Sequence, residues 1–206
     1  MLYALQLLGV TAFAASGAIV ALRKGMDLIG VAVLSIVTAV GGGTIRDVLL
    51  DRPVFWIREP AYLTVGLASA AIMVIWMRFW RPPQQALGVA DAIGLGLFAI
   101  GGAQIARQLG SAPAIVILMG TITGVAGGII RDTLSAEIPT VFRRGQLYAS
   151  AAITGTTAYV ILVWAGTSEP IAAYISMAAV VAIRFAAVFF GIELPAPRIL
   201  SEKKPD

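Results

Sequence analysis

Seven stretches of this 206-residue chain are apolar for long enough to cross a bilayer, and only short polar joints separate them. They run from about Leu2 to Leu22, Leu28 to Ile45, Ala61 to Trp80, Ala86 to Ala106, Ala112 to Ile130, Leu147 to Trp164 and Ile171 to Phe190. A spanning helix needs about 20 mostly apolar residues. In hydrocarbon the backbone must satisfy its own polar groups, which leaves helices or closed barrels. Segments of this length predict an all-α integral membrane protein with seven transmembrane helices. Composition agrees: 59% of residues are hydrophobic and 13% charged, against about 45–50% and about 25% in a soluble domain. A water-soluble globule and a disordered chain are both excluded. The first segment lacks a basic leader and reaches full spanning length, so it is expected to be a retained helix rather than a cleaved signal.

Lysine and arginine set the expected orientation. With the N-terminus outside, the inner side carries Arg23, Lys24, Arg78, Arg81, Arg131, Arg143, Arg144, Arg198, Lys203 and Lys204. The outer side carries Arg46, Arg52, Arg58 and Arg107, with Arg184 inside the seventh segment. This bias predicts a multi-pass plasma-membrane protein with its N-terminus outside and its C-terminus cytoplasmic. The net charge of +4 comes without any run of five or six basic residues, so nucleic acid is not an expected partner. Four tryptophans, Trp56, Trp76, Trp80 and Trp164, lie near segment ends, where an interfacial belt is expected.

The chain repeats itself. At an offset of 85 residues, Phe13, Ala14, Gly17, Ala18 and Gly25 recur as Phe98, Ala99, Gly102, Ala103 and Gly110. The octet Gly42-Gly43-Thr44-Ile45-Arg46-Asp47-Val48-Leu49 recurs as Gly127-Gly128-Ile129-Ile130-Arg131-Asp132-Thr133-Leu134. Each copy holds three helices, and an odd number makes the second copy enter the membrane from the opposite side. The fold expected is therefore two inverted three-helix repeats plus a seventh helix. Within this single membrane domain the expected boundaries are 1–82 for the first repeat, 86–168 for the second, 169–192 for the seventh helix and 193–206 for a cytoplasmic tail. Inverted repeats in transporters place the functional site at the repeat interface.

The repeated glycines and charges carry the candidate chemistry. Gly41, Gly42, Gly43, Gly127 and Gly128 lie within or at the ends of apolar helices. Consecutive glycines bend or break a helix, or let two helices pack closely. Gly120, Gly124 and Gly128, matched by Ser35, Ala39 and Gly43, have the small-xxx-small spacing of close packing. Arg46-Asp47 and Arg131-Asp132 follow the glycines. Neighbours on a helix do not face each other, so Arg46 is expected to pair with Asp132, and Asp47 with Arg131, across the pseudo-two-fold. Asp91, whose counterpart is Gln6, is either a vestibule carboxylate or one that complements a helix start. Ser16 and Gly17 match Gly101 and Gly102, as packing notches or as a narrow pore wall. Arg184 either snorkels or meets a carboxylate of another helix.

Enzyme chemistry has no support. Cysteine and histidine are absent, which removes thiolate nucleophiles, imidazole bases and the usual zinc ligands. Gly41-Gly42-Gly43-Thr44 lacks the ending of a phosphate-binding loop, and nucleophile-elbow and kinase motifs are missing. No cofactor and no metal are expected.

Seven helices, two three-helix copies and the paired Gly-Gly-x-Ile-Arg-Asp motifs resemble the trimeric intracellular cation (TRIC) channel family, in its prokaryotic members. The likeness runs from about Leu2 to Phe190. It implies a homotrimer in the lipid bilayer, each protomer with its own pore lined by the first, second, fourth and fifth helices and kinked at Gly41–Gly43 and Gly127–Gly128. It also implies passive flow of potassium or sodium ions and places the Arg-Asp pairs beside the pore. In animal members a basic motif near the fifth helix's glycines binds phosphoinositide; here Val125-Ala126-Gly127 precedes Gly128 with no lysine, so lipid regulation does not carry over. Similar prokaryotic sequences also carry a glycine-transporter label. Three function classes therefore stand: a passive monovalent cation channel, a carrier of a small amino acid such as glycine, and a non-transporting structural subunit. The resemblance favours the first, and charges repeated at equivalent positions argue against the last.

Overall fold

The computed structural model describes residues 2–194, so the expected tail lies outside the described residues from 195 onward. The described chain is helical throughout. Its long helices are α1 (Leu2–Arg23), α2 (Leu28–Leu49), α4 (Ala61–Phe79), α5 (Ala86–Gln108), α6 (Pro113–Leu134), α7 (Ala149–Trp164) and α8 (Glu169–Phe190). A one-turn helix, α3 (Phe55–Arg58), precedes α4, and a 3-10 turn, Thr140–Phe142, precedes α7. Six of the long helices have the length and apolarity to cross a membrane. The seventh, α7, has 16 residues, about 24 Å of helix. The sequence-predicted ends of the second and fifth helices fall short, because both run on through their Arg-Asp pairs to Leu49 and Leu134.

The fold is that of two inverted three-helix repeats with an added helix. α1, α2 and α4 form the first repeat, α5, α6 and α7 the second, and α8 lies against α5 and α7. The centre is made by α1, α2, α5 and α6: α1 packs on α5, and α2 packs on α6. α4 covers α1 and α2 on one side, and α7 covers α6 on the other. The exposed surface of the outer helices is apolar, with Leu67, Ile72 and Ile75 on α4 and Ile171, Tyr174 and Ile175 on α8 turned outward. Trp80 and Trp164 are exposed near helix ends as the belt expectation requires. Trp56 departs from it: its indole Nε1 donates to Thr44 Oγ1 at 2.9 Å and fixes α3 to α2.

Helix ends repeat as faithfully as helix faces. Gly25 and Gly110 adopt φ +71° and +73° after α1 and α5. Asp51 and Ala136, also equivalent, have φ 50° and 56° after α2 and α6. In each case the next amide reaches back five residues, Arg52 N to Asp47 O at 2.8 Å and Glu137 N to Asp132 O at 2.9 Å. These bonds close the left-handed cap that terminates a helix. An alanine in that conformation costs roughly 1–2 kcal/mol, and glycine adopts it freely. Ala136→Gly is therefore expected to raise the thermal midpoint of the detergent-solubilised protein, while Ala136→Val lowers it, as differential scanning fluorimetry will read.

Candidate functional site

The two repeats meet through glycine. A Cβ at Gly42 would stand 2.2 Å from the Thr123 carbonyl oxygen, and one at Gly127 2.5 Å from that of Thr38. These contacts are counterparts, so α2 and α6 touch backbone to backbone on the pseudo-two-fold axis. α1 and α5 meet the same way: the rings of Phe13 and Phe98 stack with centroids 5.4 Å apart at 11°. Each ring lies over the glycine of the other helix, Phe13 on Gly94 and Phe98 on Gly9. Gly17 abuts the α2 backbone at Ser35, and Gly102 abuts Thr123. Gly41 is filled by Ile130, Gly43 by the Phe55 ring and Gly128 by the Tyr148 hydroxyl. Both α2 and α6 continue unbroken through these glycines. The helix break considered from the sequence does not occur, since close packing makes use of every missing Cβ here.

The Arg-Asp pairs depart from the expected pairing. Arg46 Nε donates to Asp47 Oδ1 at 2.9 Å, and Arg131 Nε to Asp132 Oδ1 at the same distance. Neither Arg46–Asp132 nor Asp47–Arg131 forms. Inversion is the reason: it sends the C-terminal end of α2 to one side of the bundle and that of α6 to the other. The long guanidinium arm then folds back onto its own neighbour, which short side chains one residue apart do not do. Each aspartate's second oxygen takes a backbone amide eight residues on, Phe55 N at 2.9 Å and Thr140 N at 2.8 Å. The motif is thus a staple that ties the helix end to the short turn after it. Arg46 and Arg131 are both buried at 1% exposure, where an unpaired charge is costly.

The two ends differ in what else the arginine holds. Arg131 Nη1 donates to Asp91 Oδ1 at 2.6 Å and to Ser16 Oγ at 3.1 Å. Tyr148 hydroxyl donates to the same Asp91 oxygen at 3.2 Å. Asp91 is thus paired with an arginine and is not simply a helix-start charge. Because Ser16 belongs to the first repeat, Arg131 cross-links the repeats. At the other end Gln6 stands in the place of Asp91 and accepts from Tyr62 hydroxyl at 2.6 Å. Gly101 stands in the place of Ser16, with open space around it. Arg46 instead lies over the Phe55 ring at 5.5 Å.

A cavity of about 420 Å³ opens beside the Arg131 cluster, lined in part by Asp91, Arg131, Thr140, Gln146 and Arg184. Arg184 meets no carboxylate among the described residues. Its Nη1 donates to Leu147 O at 3.1 Å and its guanidinium lies 4.8 Å from the Tyr148 ring centre. On the surface at this end, Lys24 and Arg143 both bind Glu137. The hydrogen bond from Lys24 holds the Glu137 carboxyl below its ordinary range. Sequence reasoning passed over Tyr148 and the Thr38/Thr123 pair, and it noted Phe13 and Phe98 as a repeated pair without their stacking. The pairing makes a direct prediction. In a double-mutant cycle on unfolding in detergent, Arg46→Ala and Asp132→Ala are expected to add, while Arg131→Ala and Asp132→Ala couple by about 1–3 kcal/mol.

Comparison with known proteins follows the same outline. The family described as Glycine transporter matches residues 3–78 and again 88–164. The UPF0126 inner membrane protein YadS of Escherichia coli K12 is 41% identical over 203 residues, covering 95% of each chain. The solved TRIC trimeric intracellular cation channel orthologue from Rhodobacter sphaeroides is 41% identical and superposes with a TM-score of 0.88 over 93% of this chain and 98% of that one. A second TRIC cation channel structure, solved to explain conductance, is 36% identical with a TM-score of 0.86 over 96% and 98%. Inverted repeats joined at Gly42 and Gly127, relatives similar over nearly their whole length and closely superposing structures place this chain, which also matches the Glycine transporter family, in the prokaryotic TRIC channel family.

Proposed function

We propose that the protein is a passive channel for monovalent cations, chiefly potassium, with one path per protomer running between α1, α2, α5 and α6. The observation that carries this reading is the buried Arg131–Asp91–Ser16 cross-link at the floor of a polar cavity, in a chain whose solved relatives are cation channels. A membrane bundle needs no such polar opening for stability, and intramembrane charge marks a path by default. The cavity is the entrance to the path. The cross-link closes it, and the Phe13–Phe98 stack forms an apolar constriction farther in, of the kind that gates by excluding water. The Asp91 carboxylate on the cavity wall offers a ligand to an entering cation. No enzymatic role is assigned.

The remaining parts of the reading follow from the same family. Three protomers associate in the bilayer, each with its own path. The Arg131 end faces the cytoplasm, because Lys24, Arg143 and Arg144 gather there and the positive-inside bias applies. The domain divisions at 82, 86, 168 and 192 follow the repeat. Reporter fusions to the C-terminus check the orientation: green fluorescent protein is expected to fluoresce there and alkaline phosphatase to stay inactive.

Planar-bilayer recording of purified protein in a potassium chloride gradient tests the central reading. Unitary currents reversing near the potassium potential are expected. Saturable glycine uptake by proteoliposomes without unitary currents would make it a carrier instead. Ser16→Ala removes the inter-repeat bond and leaves both ion pairs of Arg131 in place. At about 1 kcal/mol for that bond, the open-to-closed ratio is expected to rise roughly fivefold at unchanged unitary current. An unchanged ratio rejects the cross-link as the closing element.

A further inference from the structure

Arg184 is a buried cation that the channel reading does not use. It is 3% exposed, well inside α8, and without a carboxylate partner among the described residues. Its Nε is buried with no hydrogen-bond partner. Of its donors Nη1 alone is bonded, to a carbonyl. The ring of Tyr148 offsets part of the charge, but a guanidinium at this depth is normally matched by an anion. The place where that anion would sit is open. Arg184 lines the 420 Å³ cavity together with Gln84, Gln85 and Gln146.

Arg184 is a charge on the cavity wall with no carboxylate partner among the described residues. Arg131 and Arg184 face Asp91 there. Asp132 gives one oxygen to Arg131 and the other to the Thr140 amide and hydroxyl. Asp91 is paired with Arg131 and accepts from Tyr148 on the same oxygen. The wall thus offers a guanidinium without a carboxylate partner and three glutamines, residue types that suit an oxyanion site.

We propose that this cavity binds a small oxyanion on Arg184, with Gln146 and the Gln84-Gln85 pair as further ligands, and that the bound anion supplies the negative charge that draws cations to the mouth. The second half rests on the channel reading; the first does not. Inorganic phosphate and the phosphate of an anionic lipid headgroup present the same chemistry, and the test separates them. Without its anion, Arg184 repels cations at the entrance. With it, the local charge becomes net negative, and Arg131 keeps its pairing with Asp91 and Asp132.

Binding is measured first, on the intact detergent-solubilised protein. Potassium phosphate titrated at constant ionic strength against potassium chloride is expected to raise the thermal midpoint by several degrees and to saturate. Radiolabelled phosphate is expected to be retained saturably by the wild type. Arg184→Gln is expected to abolish both effects, and Arg184→Lys to weaken binding about tenfold. Gln146→Ala, at a half-buried site that leaves the arginine in place, is expected to weaken it severalfold. Phosphatidylglycerol, added against phosphatidylcholine, identifies a headgroup as the natural source if it alone shifts the midpoint or displaces the label. Absence of saturable phosphate retention and of any phosphatidylglycerol effect in the wild type overturns the site, whatever the variants do. Recording at fixed potassium then tests the role: phosphate is expected to raise the unitary cation current about twofold in the wild type and not in Arg184→Gln. Binding with an unaltered current overturns the charge-supply role alone. Binding with no current in any condition rejects the channel reading while the site stands.

Discussion

Backbone contact between α2 and α6 is the constraint on which the bundle depends. Apolar side chains gain little by leaving lipid tails for one another, so helices in a bilayer associate through close van der Waals approach. Gly42 against the Thr123 carbonyl and Gly127 against that of Thr38 allow that approach at two equivalent points. Any side chain at either place would push the repeats apart. The stacked Phe13 and Phe98, each seated on the other helix's glycine, set the neighbouring crossing of α1 and α5. Four glycines and two aromatic rings therefore set how closely the repeats approach each other.

Charge is handled as strictly. Each Arg-Asp pair sits at the last turn of a central helix, the arginine reaching its neighbour and the aspartate catching the turn beyond. This spares the bundle an uncompensated buried charge and fixes the position of α3 at one end and of the Thr140–Phe142 turn at the other. Exposed contacts such as Lys24–Glu137 add little stability. Their value is positional, since Glu137 sits on the loop that follows the stapled end of α6. As the pH falls through its lowered pKa, that tie is released.

Much of this was legible in the sequence. Hydropathy located the helices, and the offset of 85 related their faces, because a duplicated contact keeps both of its residues. What hydropathy could not tell was partner identity. Arg46 and Asp132 look like natural mates until inversion is taken to its end and sets them on opposite sides of the membrane. Glycine runs are equally ambiguous: Gly41-Gly42-Gly43 suits a broken helix or a tight crossing, and only the carbonyl of Thr123 opposite it decides. The cross-link from Arg131 to Ser16 joins residues 115 positions apart, and no local pattern announces it.

The copies differ most tellingly around the buried arginines. Asp91 and Ser16 bind one of them, and Gln6 and Gly101 stand at the matching places around the other. A protein made of two equal, opposed halves has no sense of direction: reversing it in the membrane would change nothing. A carboxylate in place of an amide, and a hydroxyl in place of a hydrogen, end that equivalence. Beyond the extra helix α8, these two side chains give the centre of the bundle itself a front and a back, and the two faces of the membrane meet different chemistry there.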